Sequence, residues 1–464
     1  MVHGEVLITP LVWSIVVVLA CGICLGAAAA PPAGEKPNDV GIRPSASGRY
    51  FVDLAAGPFF WNGDTQWELW RKHGLDEAKL ILDKQAAAGF NVFQVFLVGN
   101  SNGTEPNAAG EKPWIGSPAT PNPKYFDTVD AVVEYGRAKG LIFVIGITHS
   151  WIKDHPPATA KAWAKWIAAR YKDVPNIIWV PSYTATPDML RTLAAGLQEG
   201  DGGRHLITYH PDPSPLSSKP YHNEPWLAFD CMQTWAYHDK IYPMITELYR
   251  MAPTKPVVNA EGAYEEGPEY GFAVTPLWVR RQAWWAVLAG GFTSYGHNDN
   301  WRVGPKWRAA LEAPGAAQCG VMRKFFESLA WWDLVPDQSL LAGPAAGKAP
   351  AAKAPQNVAA RSAKGEWAVA YIGTAGPVTI ALVRSPPVAR LSPPGSTRRP
   401  ARGRRSETFP PRATSPSPRP PAGRMRRSCS RRSRPRRAAA CMERAHSPMI
   451  FTSTRFRRLP SNSP

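Results

Sequence analysis

Leu141-Ile142-Phe143-Val144-Ile145-Gly146-Ile147-Thr148 is almost wholly apolar, with no alternation of polar and apolar residues. Such a run is buried on both faces, the condition of a strand in a parallel sheet covered by helices. It ends on a polar and an aromatic residue, His149 and Trp151. Upstream, Phe126 to Lys139 reads as an amphipathic helix stopped by Gly140, the residue type favoured just past a helix end.

The same alternation repeats in both directions. Strands are expected at Phe59 to Trp61, Asn91 to Val98, Leu141 to Thr148, Asn176 to Val180, His205 to Tyr209, Leu227 to Thr234, Pro256 to Ala260 and Phe292 to Gly296. Helices are expected at Asp76 to Ala88, Phe126 to Lys139, Thr159 to Tyr171, Pro187 to Gln198, Ile241 to Met251, Leu277 to Leu288 and Val321 to Trp332. Eight such units fit a (β/α)8 TIM barrel, with an open doubly wound sheet as the structural rival. Trp163, Trp166, Trp284, Trp285, Trp331 and Trp332 fall at helical positions and are expected in the core.

The chain has 464 residues, 44% of them hydrophobic and 19 of them Trp, enough for a large core. Residues 1–30 read as a secretory signal peptide, with an apolar run from Leu11 to Leu25 and small residues at Ala27 to Ala30. A secreted or periplasmic protein is therefore expected, with membrane attachment only through a lipid on Cys21. Residues 31–48 read as a linker.

The formal charge of +18 is unevenly placed. From Arg384 onward, 81 residues hold 21 Arg, 15 Pro and only two acidic residues, leaving 33 basic and 34 acidic residues in the rest. The body is thus nearly neutral, and no specific nucleic-acid partner is expected. Residues 384–464 cannot build a core and are expected to be a disordered basic tail. Its onset inside the strand-like run Val378 to Val383 fits a change of reading frame. Residues 342–383 read as a linker and the start of a truncated β-domain, from Glu366 to Gly373 and Val378 to Val383. Cys231 and Cys319 in the body are read as two buried free thiols, with a disulfide as the alternative. No spacing of ligands calls for a metal, and no nucleotide or cofactor fingerprint is present.

The C-terminal ends of parallel barrel strands carry the ligand-accessible rim. Here they are polar: Asp64, Gln94, His149, Tyr183 with Thr184, His210, Gln233, Glu261, and His297 with Asn298. Trp67, Trp151, Trp235, Tyr264, Tyr295 and Trp301 stand beside them. Flat rings next to hydrogen-bonding groups suit a carbohydrate substrate. Glu261, at the end of Lys255-Pro256-Val257-Val258-Asn259-Ala260, is read as a catalytic carboxylate, with a structural salt bridge as its bland alternative. Asp64 is read as assisting catalysis or binding sugar hydroxyls, against a helix-capping role. Trp67, Gln94, His149, Trp151, His210, Gln233, Trp235, Tyr264, His297, Asn298 and Trp301 are the expected substrate contacts.

Pro58-Phe59-Phe60-Trp61-Asn62-Gly63-Asp64-Thr65-Gln66-Trp67-Glu68-Leu69, Gly89-Phe90-Asn91-Val92-Phe93-Gln94, Asn176-Ile177-Ile178-Trp179-Val180, Glu261 with Tyr264-Glu265, Tyr295-Gly296-His297-Asn298 and Val335-Pro336-Asp337-Gln338-Ser339-Leu340-Leu341 together resemble the apiosidase-like glycoside hydrolases. The resemblance implies a (β/α)8 catalytic domain over residues 49–341, followed by a β-sandwich associated with collagen binding. It implies a secreted enzyme removing apiose or another sugar from plant-type polysaccharide side chains, with Glu261 as nucleophile or base.

The family's partner acid, an Asp in a Gly-Gly-Asp segment after strand four, has no counterpart. Trp179-Val180-Pro181-Ser182-Tyr183-Thr184-Ala185 places Thr184 there, and a Thr hydroxyl cannot protonate a leaving group at neutral pH. Asp188, Asp64, Glu224 and Asp230 are the candidate replacements. Three readings stand: a hydrolase with a relocated acid, an impaired barrel that binds carbohydrate, and a cationic surface protein acting through its Arg-rich tail.

Overall fold

Eight parallel strands form the barrel: β1 (Asn62–Thr65), β2 (Val92–Phe96), β3 (Ile142–Gly146), β4 (Ile177–Val180), β5 (Leu206–Thr208), β6 (Leu227–Trp235), β7 (Val257–Gly262) and β8 (Phe292–Tyr295). Each pairs with the next in the chain, and β8 pairs with β1 through Thr293 to Asn62 and Tyr295 to Asp64. That closure excludes the open-sheet rival. The computed structural model describes residues 2–6, 15–20, 41–99, 105–212, 215–342, 356–373 and 378–382.

Among the described residues, seven helices of 12 or more residues surround the strands: α1 (Leu75–Ala88), α2 (Phe126–Ala138), α3 (Pro157–Tyr171), α4 (Pro187–Asp201), α5 (His238–Tyr249), α6 (Pro276–Leu288) and α7 (Pro314–Glu327). Proline opens α3, α4, α6 and α7, where its missing N–H costs no intrahelical bond. Thr186 also caps α4, its Oγ1 accepting from the Met189 N–H. Strands β2, β3, β4 and β8 are buried at every residue, as expected beneath a helical layer.

Two elements differ from expectation. The first barrel strand is Asn62–Thr65, whereas Pro58–Phe59 pairs with Phe51 and Val52 in a small antiparallel sheet before the barrel. Asn62 is held from the neighbouring strand's start, donating through its backbone to Asn91 Oδ1 and through its side chain to the Gly89 carbonyl. The last helix begins at Pro314 and stops at Glu327, well before Trp332. Glu265 anchors its start, Oε1 accepting from the Gly315 N–H while Oε2 accepts from Tyr295, so a tertiary carboxylate supplies the cap that the local sequence lacks. Of the six helical Trp, Trp163, Trp284, Trp285 and Trp331 are buried, Trp166 is half-buried, and Trp332 is exposed.

After the barrel, Leu334–Pro336 pairs antiparallel with β9 (Val358–Ser362), which pairs with β10 (Trp367–Ile372). So small a sheet needs a partner surface, and α6 provides it. Trp284 stacks on Tyr371 with centroids 5.5 Å apart, and Trp285 Nε1 donates to the Gln356 carbonyl. Ile15–Ala20, inside the expected leader, pairs antiparallel with β10, and Val2–Val6 pairs with Val378–Leu382. Cys21, the Ala27 to Ala30 segment and the tail from Arg384 lie outside the described residues. Cys231 and Cys319 are buried and free.

Candidate active site

Glu261 is the next-to-last residue of β7, and its side chain is 13% exposed. Tyr264, three residues on, is a hydrogen-bond partner of its carboxyl, and the Tyr264 hydroxyl is itself fixed by Trp67 Nε1 at 3.0 Å. From the end of β5, His210 brings Nε2 to 3.6 Å from Glu261 Oε2. Register shifts between β6 and β7 set Gln233 opposite Glu261, and Trp235 follows with φ 49°. Irregularities of this kind re-aim side chains beside active sites.

An aromatic wall surrounds the carboxylate. Trp67 stacks on Phe96 at 4.5 Å and meets Tyr183 and His210 edge-on at 5.6 and 5.8 Å. Tyr183 packs on His210 at 4.8 Å and on His149 at 5.8 Å. Residues from the ends of β1, β2, β3, β4, β5 and β7 thus converge. Two glycines make room for the rings. A Cβ on Gly146 would lie 2.4 Å from the Tyr183 ring, and one on Gly296 would lie 2.3 Å from Tyr264.

Not every expected residue joins this cluster. Gln94 is buried beneath it, its Nε2 donating to the Ala260 carbonyl at 2.7 Å and to Thr65 Oγ1; it ties strands together rather than facing a ligand. Asp64 is likewise sealed in the barrel, with Oδ2 accepting from Gln66 at 2.8 Å. It neither caps a helix nor reaches the open rim. Trp151 packs against Trp114 at 4.9 Å and Trp163, in an outer aromatic group. His297 Nδ1 accepts from the Asp299 N–H, and the Asn298 N–H donates to the Glu265 carbonyl. They shape the loop behind Tyr264, whose ring meets Trp301 at 6.2 Å. Trp235 stands against Tyr270 at 5.1 Å, on the rim beyond Gln233.

Burial sets the electrostatics. It pushes Glu261 up to about 8, against the hydrogen bond from Tyr264 and with help from the charges of Asp212 and Glu269. Burial pushes Asp64 up to about 7 and His210 down to about 3. His149 is also lowered by burial, with Asp212 acting in the opposite sense. The site therefore favours neutral groups until a substrate alters it.

Sequence reasoning passed over two participants. Phe96 and Asp212 carry no motif, although Asp212 stands two residues beyond His210 at the same strand end. The Asp212 N–H donates to the Tyr183 carbonyl at 3.1 Å. Thr184, next to Tyr183, is exposed. Among the described residues no group of three or more His, Cys, Asp or Glu is placed to hold a metal ion. A shallow hollow lined by Arg49, Tyr50, Phe60, Tyr249, Phe292 and Trp331 lies where β8 begins, at the opposite end from Glu261. Barrel chemistry belongs to the Glu261 end.

The family model described as the apiosidase-like catalytic domain matches residues 45–333. A solved structure described as a glycoside hydrolase is 28% identical, with a TM-score of 0.63, over 71% of this chain and 83% of that one. A glycoside hydrolase family 5 structure from Bacteroides vulgatus is 26% identical, with a TM-score of 0.63, over 71% of this chain and 80% of its own. No curated protein matches.

Proposed function

Because the chain belongs to the apiosidase-like glycoside hydrolases, we propose that it is a secreted enzyme that removes apiose or a similar sugar from the side chains of plant-type polysaccharides. The observation that carries this reading is the convergence on Glu261 of Trp67, His210, Gln233 and Tyr264, from the ends of four strands. Glu261 is the nucleophile or base. Tyr264 orients its carboxyl, and Trp67 with Tyr183 forms an apolar wall against which the C–H face of a sugar ring packs. His210 and Gln233 are placed to bond hydroxyls: neither His210 nitrogen nor Gln233 Oε1 completes a hydrogen bond within the protein.

Thr184 favours a second reading, a barrel that binds carbohydrate without cleaving it. One experiment separates the two: wild type and Glu261→Ala are each incubated with a panel of plant cell-wall oligosaccharides. Release of a monosaccharide by wild type alone supports hydrolysis. Binding by both without release rejects it.

A further inference from the structure

We propose that Asp212, at the end of β5, supplies the second carboxyl group that strand four lacks, and protonates the departing glycosidic oxygen; this rests on the hydrolase reading above. A glycosidase needs a carboxyl on each side of the scissile bond. The residues that could have replaced the strand-four acid are engaged elsewhere. Asp188 is 97% exposed and paired with Arg191, which also holds Glu224. Asp230 is fully buried, bonded to Ser218 at 2.6 Å and His222 at 2.7 Å. Asp64 is sealed by Gln66 within the barrel. Glu265 holds Tyr295 and the start of α7, and Glu269 pairs with Arg302 at 3.3 Å.

Asp212 differs in each respect. It is half-buried, and its carboxyl enters no ion pair among the described residues. Its backbone N–H bonds the Tyr183 carbonyl at 3.1 Å, so the two loop tips are joined one residue from Thr184, where the family carries its acid. Tyr183 packs on His210, which reaches Glu261, and both are almost wholly buried, with the Tyr183 hydroxyl and both His210 nitrogens unpartnered. Open polar groups of that kind mark a place where a ligand completes the bonding. The Asp212 charge acts on His149 and on Glu261 together, and burial raises Asp212 itself, which favours the protonated form an acid needs.

In the step, the electrons of the anomeric C–O bond leave with the glycosidic oxygen, which takes the Asp212 proton. The anomeric carbon is taken by the Glu261 carboxylate, or by a water whose proton passes to Glu261. In the first route water then cleaves the ester and returns a proton to Asp212.

The test compares wild type, Asp212→Asn, Glu269→Gln and the double variant Thr184→Asp/Asp212→Asn. Two substrates are used: the oligosaccharide that wild type cleaves, and the 2,4-dinitrophenyl glycoside of the sugar released. A general acid contributes about 10²- to 10⁴-fold, so Asp212→Asn loses that much kcat on the oligosaccharide. It loses less than about tenfold on the dinitrophenyl glycoside, whose leaving group departs without a proton. Glu269→Gln stays near wild type, and Thr184→Asp restores part of the lost activity. Melting curves check folding, with Asp212→Ser as the substitute should the Asn variant not fold. Equal losses on both substrates, or an unimpaired Asp212→Asn, overturn the role of Asp212 alone. A wild type inactive on every substrate overturns the hydrolase reading and this proposal with it.

Discussion

His210 Nε2 lies 3.6 Å from Glu261 Oε2, a salt-bridge distance, yet the two are not an ion pair at neutral pH. Burial holds the imidazole down to about 3 and the carboxyl up to about 8, so between those values both are neutral. Charge at Glu261 has to be created for the reaction rather than being present at rest.

Activity should therefore climb toward alkaline pH. As nucleophile or base, Glu261 acts ionised, so on the dinitrophenyl glycoside, whose leaving group needs no proton from Asp212, kcat/KM, which reports free-enzyme ionisations, rises through a limb with an apparent pKa near 8. Measurement from about pH 5 to 10 checks this. A profile on the oligosaccharide that falls through pH 8 and loses that limb in Glu261→Gln would make Glu261 the proton donor and reverse the two carboxyl roles.

The same burial bears on stability. Glu261 ionises near 4.5 when unfolded and about 8 when folded. Below 4.5 both states carry the proton and there is no penalty, whereas above 8 the folded protein holds a desolvated carboxylate. Stability is lost as pH rises through that window. Glu261→Gln, which keeps the shape without the charge, should match wild type near pH 4 and exceed it by on the order of 3 kcal/mol near pH 9. Urea unfolding at the two pH values measures the difference; equal gaps at both would show that the carboxyl is not desolvated.

Gly296 gives a test of how the site is held. A Cβ there would press the Tyr264 ring, at 2.3 Å, and Tyr264 links Trp67 to Glu261. Gly296→Ala should cost about 1–3 kcal/mol of stability from overpacking and lower kcat more than KM, because the displaced group is the one that orients the carboxyl. Loss of stability with unchanged kcat would show that Tyr264 only packs.

What could be read in advance followed from how local the causes are. Leu141 to Thr148 announces a doubly buried strand by itself, and its observed core is Ile142–Gly146. Asn62–Thr65 does not, because three of its four residues are polar and the groups that hold Asn62 come from Gly89 and Asn91, far along the chain. Gln94 misled for the same reason: its amide is taken by Ala260, across the barrel. Glu261 stood out through its strand-end position. Asp212 did not, since no motif marks it and its meeting with Tyr183 arises only when β4 and β5 lie side by side.

Two aspartates near β5 and β6 should separate cleanly by experiment. Asp230 is wholly buried and joins Ser218 to His222, whose Nε2 reaches the Pro253 carbonyl at 2.9 Å. It pairs in register with Val257, the first residue of β7, and so sits toward the strand's beginning, away from Glu261. Removing one member of such a buried set leaves the others unsatisfied, so Asp230→Ala should cost about 3–5 kcal/mol. The protein that still folds should keep its turnover per active molecule. Asp212→Asn should do the opposite, melting near wild type while losing turnover. Chemical denaturation and active-site-normalised rates on the two variants decide it: if Asp230→Ala also abolishes turnover in fully folded protein, the buried network reaches the chemistry and the division between scaffold and catalytic carboxylates fails.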